Sequence, residues 1–299
     1  MTVASAALAA VCSALAAERV TMVTPNRRLA AWYTSQFNQT QIESGRSVWP
    51  TPDILPWETF VERTWRKLSL LSGNSASPAL LDSHQSRLLW EGVVQNADTA
   101  ASGLLNVRET AKQVQSAWTL ARAWHLLPAM RGMALHDDAQ MFLGWSDRFQ
   151  QHCRLRNAID RATLPDALSD LLGAATTNVH GILQQLPERL LAAGFDIVEP
   201  QQQRLFDVLR RCGFAVDLLH AANDAFDSRC CRIEFANETD ELRAAAAWAR
   251  QRLESDPEAR IAIVVPDLKQ MRGLVMRELT DSLLPAARAT PPMAIGKVP

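Results

Sequence analysis

The chain begins with an alternation of helical and short apolar patterns. Residues 20–23 are apolar and β-branched, and a proline follows them closely, which is typical of a buried strand. A second short strand is predicted at 53–55, between prolines. Apolar residues have helical spacing at 4–17, before the first strand. They have it again from Asn26, after the first strand, and at 57–71, after the second. This order predicts an open, mainly parallel sheet that is covered by helices.

The middle of the chain, residues 79–190, shows almost no strand pattern. Six of the nine tryptophans lie between 57 and 145, where the packing of a helical bundle explains them better than stacking on bases. In the helix after the first strand, the spacing places Leu29, Trp32 and Tyr33 on one side. Helical windows in the middle run through residues 81–97, 106–127, 136–156 and 165–184.

The last third of the chain returns to mixed patterns. A strand is predicted at 190–195, and a helix follows it from Pro200 to Arg211. A length of 299 residues fits two or three domains, and the composition of 72–78 is that of a linker between them. The remaining elements are predicted as strands at 214–219, 232–235 and 260–265, with helices that begin near 239 and 267.

Composition narrows the class of protein. Lys and Arg total 31 against 32 Asp and Glu, so a net charge of −1 gives no overall field that attracts nucleic acid. Five cysteines without C-x-x-C spacing favour a reducing cytoplasm over a disulfide or zinc framework.

The apolar stretch 3–17 lacks a preceding basic residue, so an Ala-rich helix is favoured over a signal peptide. No run reaches the ~20 apolar residues of a membrane span, and we expect a cytoplasmic protein without membrane contact.

Several catalytic motifs do not occur in the sequence. The phosphate loop G-x-x-x-x-G-K-[ST] is missing, and so are H-E-x-x-H, G-x-S-x-G and G-x-G-x-x-G. His136 and the two aspartates after it are consecutive, which suits a solvated helix start better than a metal site. Asp53 and Asp267 follow prolines as a nuclease acid does, but the acids downstream of each lie on predicted helices. We therefore predict no metal site and no nuclease centre in these residues.

Asn26, Arg27 and Arg28 directly follow the first predicted strand. In open α/β sheets, ligands bind at the carboxyl ends of the strands, and arginines at a helix start are suited to hold phosphates. The alternative is that both arginines are simply exposed to solvent. These residues alone favour neither interpretation over the other.

A further signal is the order of four stretches: residues 23–30 (VTPNRRLA), 49–57 (WPTPDILPW), 194–203 (GFDIVEPQQQ) and 261–267 (IAIVVPD). Together they resemble the DNA repair proteins related to AddB and RecC, which have a degenerate superfamily 1 helicase body and a C-terminal PD-(D/E)XK nuclease. The resemblance implies a RecA-like (P-loop NTPase-like) α/β fold, with a parallel sheet that lacks a phosphate loop. It also implies a large all-helical insertion and the start of a second α/β domain.

The resemblance implies the following boundaries. A helicase 1A-like α/β part covers residues 1–74 and resumes at 188–222. A helical 1B-like insertion covers 75–187, and a second RecA-like domain begins at 228–299. The chain is then expected to be the N-terminal part of a longer protein.

The resemblance further implies limits on the chemistry. Asp196 and Gln203 correspond to the acidic motif and the downstream Gln of an active helicase, but the acidic pair is not reproduced. Because the phosphate-loop Lys and Ser/Thr are also missing, we do not expect ATP hydrolysis, and an ATP-dependent helicase is the least favoured interpretation. The exonuclease, with its Mg²⁺, would lie beyond Pro299. No catalytic residue, metal or other cofactor is therefore expected here.

The expected function is that of a non-catalytic, helicase-like module in a recombinational repair nuclease. Such a module would bind single-stranded or forked DNA and contact a partner helicase subunit. An alternative from another class is a protein-interaction scaffold that docks this helicase without touching DNA. The near-neutral charge and the Trp-rich helical block favour this alternative. The expected strand-contacting residues are Thr24, Asn26, Arg27, Arg28 and Trp57.

Overall fold

The structure is a computed structural model, and it divides the chain into two units, residues 1–224 and 225–299. Residues 11–15 are helical, whereas the rest of the helix predicted at 4–17 lies outside the described residues. The same holds for most of the linker predicted at 72–78. The residues that the structure describes are 11–15, 19–71, 77–96, 106–174, 187–219 and 231–284.

The described elements follow the predicted order closely in the first unit. It contains β1 (Val20–Thr24), α1 (Arg27–Glu43), β2 (Ile54–Pro56), α2 (Trp57–Leu71), β3 (Ala79–Leu80), α3 (Ser83–Gln95), α4 (Val107–Ala123), α5 (Leu127–Arg131), α6 (Asp137–Leu155), β4 (Ala158–Ile159), α7 (Leu164–Ala174), β5 (Arg189–Ala193), α8 (Pro200–Arg211) and β6 (Ala215–Leu219). The second unit contains α9 (Glu238–Ser255) and α10 (Leu268–Leu283).

The first unit is built on a four-stranded sheet in the order β2-β1-β5-β6, and all its pairings are parallel. β1 lies inside the sheet, because Val23 pairs with Leu55 on one side and with Ala192 on the other. Parallel strands need crossover connections, which α1 supplies between β1 and β2 and α8 supplies between β5 and β6. The expected α/β class with a mainly parallel sheet is confirmed.

Alternate residues of the central strands contribute to two hydrophobic cores. Met22 and Leu191 belong to the core under α1, where Phe37 is fully buried. Val23 and Ala192 belong to the opposite core, to which α2, α7 and α8 contribute. Since successive side chains of a strand point to opposite faces, helices on both faces explain why these strands are apolar throughout.

The loop after β5 lies against the beginning of α1. Gly194 has a φ of +78°, and a Cβ at this position would overlap Cδ2 of Leu29 and contact Pro25. Glycine is favoured here because other residues are strained at positive φ and because a Cβ would require the Leu29 side chain to shift. The contact joins the chain turn after β1 to the chain turn after β5.

The helical insertion between α2 and β5 has a core of its own. Trp90, Trp118 and Phe149 lie at its centre, and Trp90 stacks on Phe149 with 4.0 Å between ring centroids. Trp90, Trp118 and Trp145 are buried in this core, as expected for helical packing, whereas Trp57 and Trp65 are buried in the core on one face of the sheet. Trp124 is 39% exposed. The parallel pair of β3 and β4 was not predicted, because two residues are too few to show a period.

The second unit departs from the prediction. α9 and α10 form where the helical patterns indicated, and they pack against each other. The strands predicted at 232–235 and 260–265 are wrong, because the described residues there form no strand. A strand needs a neighbour for its backbone hydrogen bonds, and neither segment has one in the described part of the chain. Ile233 and Val264 are accordingly 67% and 88% exposed, so the expected start of a second α/β domain is helical as far as described.

The contact between Gly194 and Leu29 can be tested with Gly194→Ala. The new Cβ adds backbone strain and displaces Leu29, so we expect unfolding to become easier by about 1–3 kcal/mol. Urea unfolding followed by circular dichroism measures the change. The matched control is Gly92→Ala inside α3, where a Cβ meets no atom and should raise stability by about 0.5–1 kcal/mol. Equal effects of the two changes would contradict the assigned contact.

Candidate functional site

The turn between β1 and α1 forms the candidate site, at the carboxyl edge of the sheet. The Thr24 hydroxyl donates to the backbone carbonyl of Asn26 at 2.9 Å. The Asn26 side chain accepts from the backbone N–H of Leu29 at 2.9 Å and thereby caps α1. Both polar side chains predicted to contact DNA therefore bond within the turn, and Thr24 is fully buried. Thr24 is thus enclosed within the turn, and Asn26 positions the helix start.

Arg27 and Arg28 are the first two residues of α1, and both are exposed. Neither guanidinium forms an ion pair or hydrogen bond with any residue that the structure describes. The first turn of α1 contains no acidic residue, so the positive end of the helix dipole adds to the two charges. This arrangement can hold an anion such as a phosphate.

The turn after β1 lies at a point of the sheet where open α/β folds commonly bind ligands. α1 follows β1 onto one face of the sheet, whereas α8 follows the adjacent β5 onto the other. Ligands of open α/β sheets bind at such a switch of direction between neighbouring strands. Here Leu29 and Pro25 pack on Gly194 between the two strand ends, and no glycine follows β1. The backbone therefore does not wrap an anion between the strands, and the free charges lie on the outer surface of α1.

Trp57 was predicted to contact DNA, and the structure places it in the core. Its ring makes edge contacts with Phe195 and Phe206, at centroid distances of 6.2 Å and 5.4 Å. Only 8% of the residue is exposed, so its indole has no free face for a base. The sequence could not show this, because an aromatic residue at a helix start is compatible with either role.

Asp196 and Gln203, the positions of the degenerate acidic motif, do not form a joint site. Asp196 is exposed after β5, and it has no hydrogen bond or ion pair with another described residue. The Gln203 amide donates to Asp207 at 2.8 Å on the same helix. The structure therefore gives these two positions no common ligand.

Asp53 has a structural role at the opposite edge of the sheet. Arg63 donates to both carboxylate oxygens at 2.6 Å, and the Thr21 hydroxyl donates to one of them. Burial raises the pKa of Asp53, but the hydrogen bonds from Arg63 and Thr21 outweigh burial and hold the pKa below its ordinary value. The carboxylate therefore stays charged and ties α2 to the sheet.

A charged cluster around Asp166 was not found from the sequence. Its Oδ2 accepts hydrogen bonds from Arg122 at 2.6 Å and from Gln201 at 2.8 Å. Its Oδ1 lies 3.1 Å from Nε2 of His125 and 3.3 Å from Arg204. These partners come from α4, from the turn after it and from α8, so one carboxylate on α7 connects the helical insertion to the sheet-covering helices.

The Asp166 cluster borders a cavity of about 440 Å³. Its two arginines are neutralised, because Arg122 binds Asp166 and Arg204 also binds Asp170 at 2.5 Å. Only 8% of the Asp166 side chain is exposed, and such a buried carboxylate needs all of its donors. We interpret this cluster as a structural joint. Arg27 and Arg28, by contrast, form no ion pair with any residue that the structure describes.

Comparisons with known proteins give no family for this chain: no family model matches it, and no curated protein is detectably similar to it. Among the residues that the structure describes, no His, Cys, Asp and Glu side chains group in a way that could hold a metal ion. None of the described helices is long and apolar enough to cross a membrane.

If Asp166 connects the packed helices, Asp166→Ala should lower the free energy of unfolding. Without the carboxylate, the buried side of Arg122 has no counter-charge, so we expect unfolding to become easier by about 2–4 kcal/mol. Guanidinium unfolding measures this difference. The control is Asp147→Ala, which breaks the exposed pair with Arg131 and should cost less than about 1 kcal/mol. Similar losses in both variants would show that Asp166 is not a joint.

Proposed function

We propose that the chain is a non-catalytic, helicase-like module that binds DNA within a DNA repair nuclease complex. The observation that carries the proposal is that Arg27 and Arg28, at the carboxyl edge of the sheet, form no ion pair or hydrogen bond with a residue that the structure describes. Exposed arginines without acidic partners are suited to the phosphates of a nucleic-acid backbone. The near-neutral net charge restricts such binding to a local surface.

The helicase-like part of the proposal rests on the fold and on the resemblance in sequence. A parallel sheet in the order β2-β1-β5-β6, covered on both faces and interrupted by a helical block, is compatible with a RecA-like domain and a 1B-like insertion. The proposed module does not hydrolyse ATP, because a motor needs a glycine-rich loop with Lys and Ser/Thr. The turn at Thr24–Arg28 contains none of the glycines and no lysine.

A protein-interaction scaffold is the second candidate, and one observation favours it. The segments 232–235 and 260–265 expose apolar side chains and leave backbone groups without partners in the described part of the chain. Such segments are suited to pair with a strand of another protein. A scaffold would bind its partner subunit without DNA, whereas the first candidate requires direct DNA binding.

The DNA-binding proposal is tested with Arg27→Ala plus Arg28→Ala. We expect the double variant to bind a labelled single-stranded 20-mer about ten-fold more weakly at low salt, because two phosphate contacts are lost. The slope of log affinity against log salt should also fall by roughly 1.4, which is about 0.7 for each lost contact. Fluorescence anisotropy at several salt concentrations measures both quantities.

A matched control for the double variant is Arg210→Ala plus Arg211→Ala. This second pair of consecutive arginines lies at the end of α8, and α8 leads to the amino end of β6. The control removes the same charge from the opposite edge of the sheet and should leave binding nearly unchanged. Equal losses in both double variants would refute the residue assignment, and no binding by the unchanged protein at low salt would favour the scaffold.

A further inference from the structure

The exposed face of α1 carries an aromatic side chain next to the two arginines. Trp32 is four residues after Arg28, so both side chains lie on the same face, one helical turn apart. Ser35 and Gln39 continue this exposed face. The helix contains no acidic residue before Glu43, so nothing on it repels a polyanion near Trp32.

The sequence places Leu29, Trp32 and Tyr33 on one side of this helix, but their exposure differs. Leu29 and Tyr33 do turn towards the sheet and are half-buried, whereas Trp32 is 47% exposed. The Tyr33 ring contacts the indole edge to face, at 4.8 Å between centroids and an interplanar angle of 74°. Since Tyr33 packs partly against the core under α1, it restricts the orientation of the indole.

Two other tryptophans are exposed to a similar degree, and their surroundings differ. Trp248 is 48% exposed, but the Arg252 guanidinium lies over its ring at 6.0 Å. Trp124 is 39% exposed and forms the C-cap of α4. In the described part of the chain, no ring stacks flat on Trp32 and no guanidinium covers it.

A single exposed apolar side chain is common and has no meaning by itself. The combination on α1 is more specific, because a half-exposed indole lies within two helical turns of two guanidinium groups that pair with no described residue. Nucleic acids offer the matching chemistry, since phosphates alternate along the chain with flat bases. In a duplex the bases already stack on each other, so only a single strand can present a base face to the indole.

We propose that Arg27, Arg28 and Trp32 form a single-strand-binding platform, in which Trp32 stacks on a base while the arginines contact the adjoining phosphates. The inference rests on the proposed DNA-binding function and adds the form of DNA and the residue that selects it. Stacking on an aromatic side chain is tolerant of base identity. The platform therefore distinguishes a single strand from a duplex, and it does not distinguish one sequence from another.

The test compares two single strands with the same backbone: oligo-dT of 20 nucleotides and a 20-nucleotide strand whose central residues are abasic. We expect the unchanged protein to bind oligo-dT about ten-fold more tightly than the abasic strand, because one base stacks on Trp32. Trp32→Ala should lose this preference and keep its affinity for the abasic strand. Trp32→Phe should retain most of the preference, since a smaller ring still stacks.

The matched control is Trp248→Ala, which removes an equally exposed indole that already has a cation over its ring. It should leave the preference for oligo-dT unchanged. Equal loss of affinity for both strands in Trp32→Ala, or no loss for either, would overturn the stacking role and leave DNA binding by the arginines intact. Absence of binding to both strands by the unchanged protein would overturn the proposed function itself.

A second measurement uses the unchanged protein, so it does not depend on how a variant folds. Oligo-dT with one 5-iodouracil forms a covalent bond to a stacked aromatic ring under ultraviolet light. The crosslinked peptide should contain Trp32 and should disappear when unlabelled oligo-dT is in excess. A crosslink to any other tryptophan instead would overturn the platform.

Discussion

The packing of Leu29 on Gly194 is the contact on which the candidate site depends. It places the beginning of α1 against the loop after β5, and it fills the space between two adjacent strand ends with aliphatic atoms. α1 buries Phe37 on its inner face, so Arg27, Arg28 and Trp32 lie on its outer face. The same contact therefore closes the crevice of the sheet and presents a cationic, aromatic surface beside it.

The spacing of apolar residues predicts the main elements of the first unit, but it predicts those of the second unit only in part. β1, β5 and the helices α2 and α8 begin and end close to the predicted residues, because each is either buried on both faces or strongly amphipathic. The run at 260–265 has the strongest strand pattern but forms no strand. Apolar residues favour a strand only where a neighbouring strand accepts its hydrogen bonds, and a local pattern does not contain that information.

The sequence predicts the part of the candidate site that is fixed by the order of residues after a strand. Arg27 and Arg28 follow a strand directly, so their place at the sheet edge could be inferred. Trp57 is buried and Trp32 is exposed, and neither could be inferred, because spacing alone does not decide which aromatic residue faces solvent. The Asp166 cluster was missed because its arginines are 44 and 38 residues away in sequence.

We expect this sheet edge to bind DNA through α1 and not to bind a nucleoside triphosphate. Hydrogen exchange measured by mass spectrometry, with oligo-dT or with Mg²⁺ and ATP added, tests both parts at once. We expect slower amide exchange at residues 26–36 with oligo-dT and unchanged exchange there with Mg²⁺ and ATP. Protection of residues 24–30 by Mg²⁺ and ATP, with no effect of oligo-dT, would refute DNA binding at this edge.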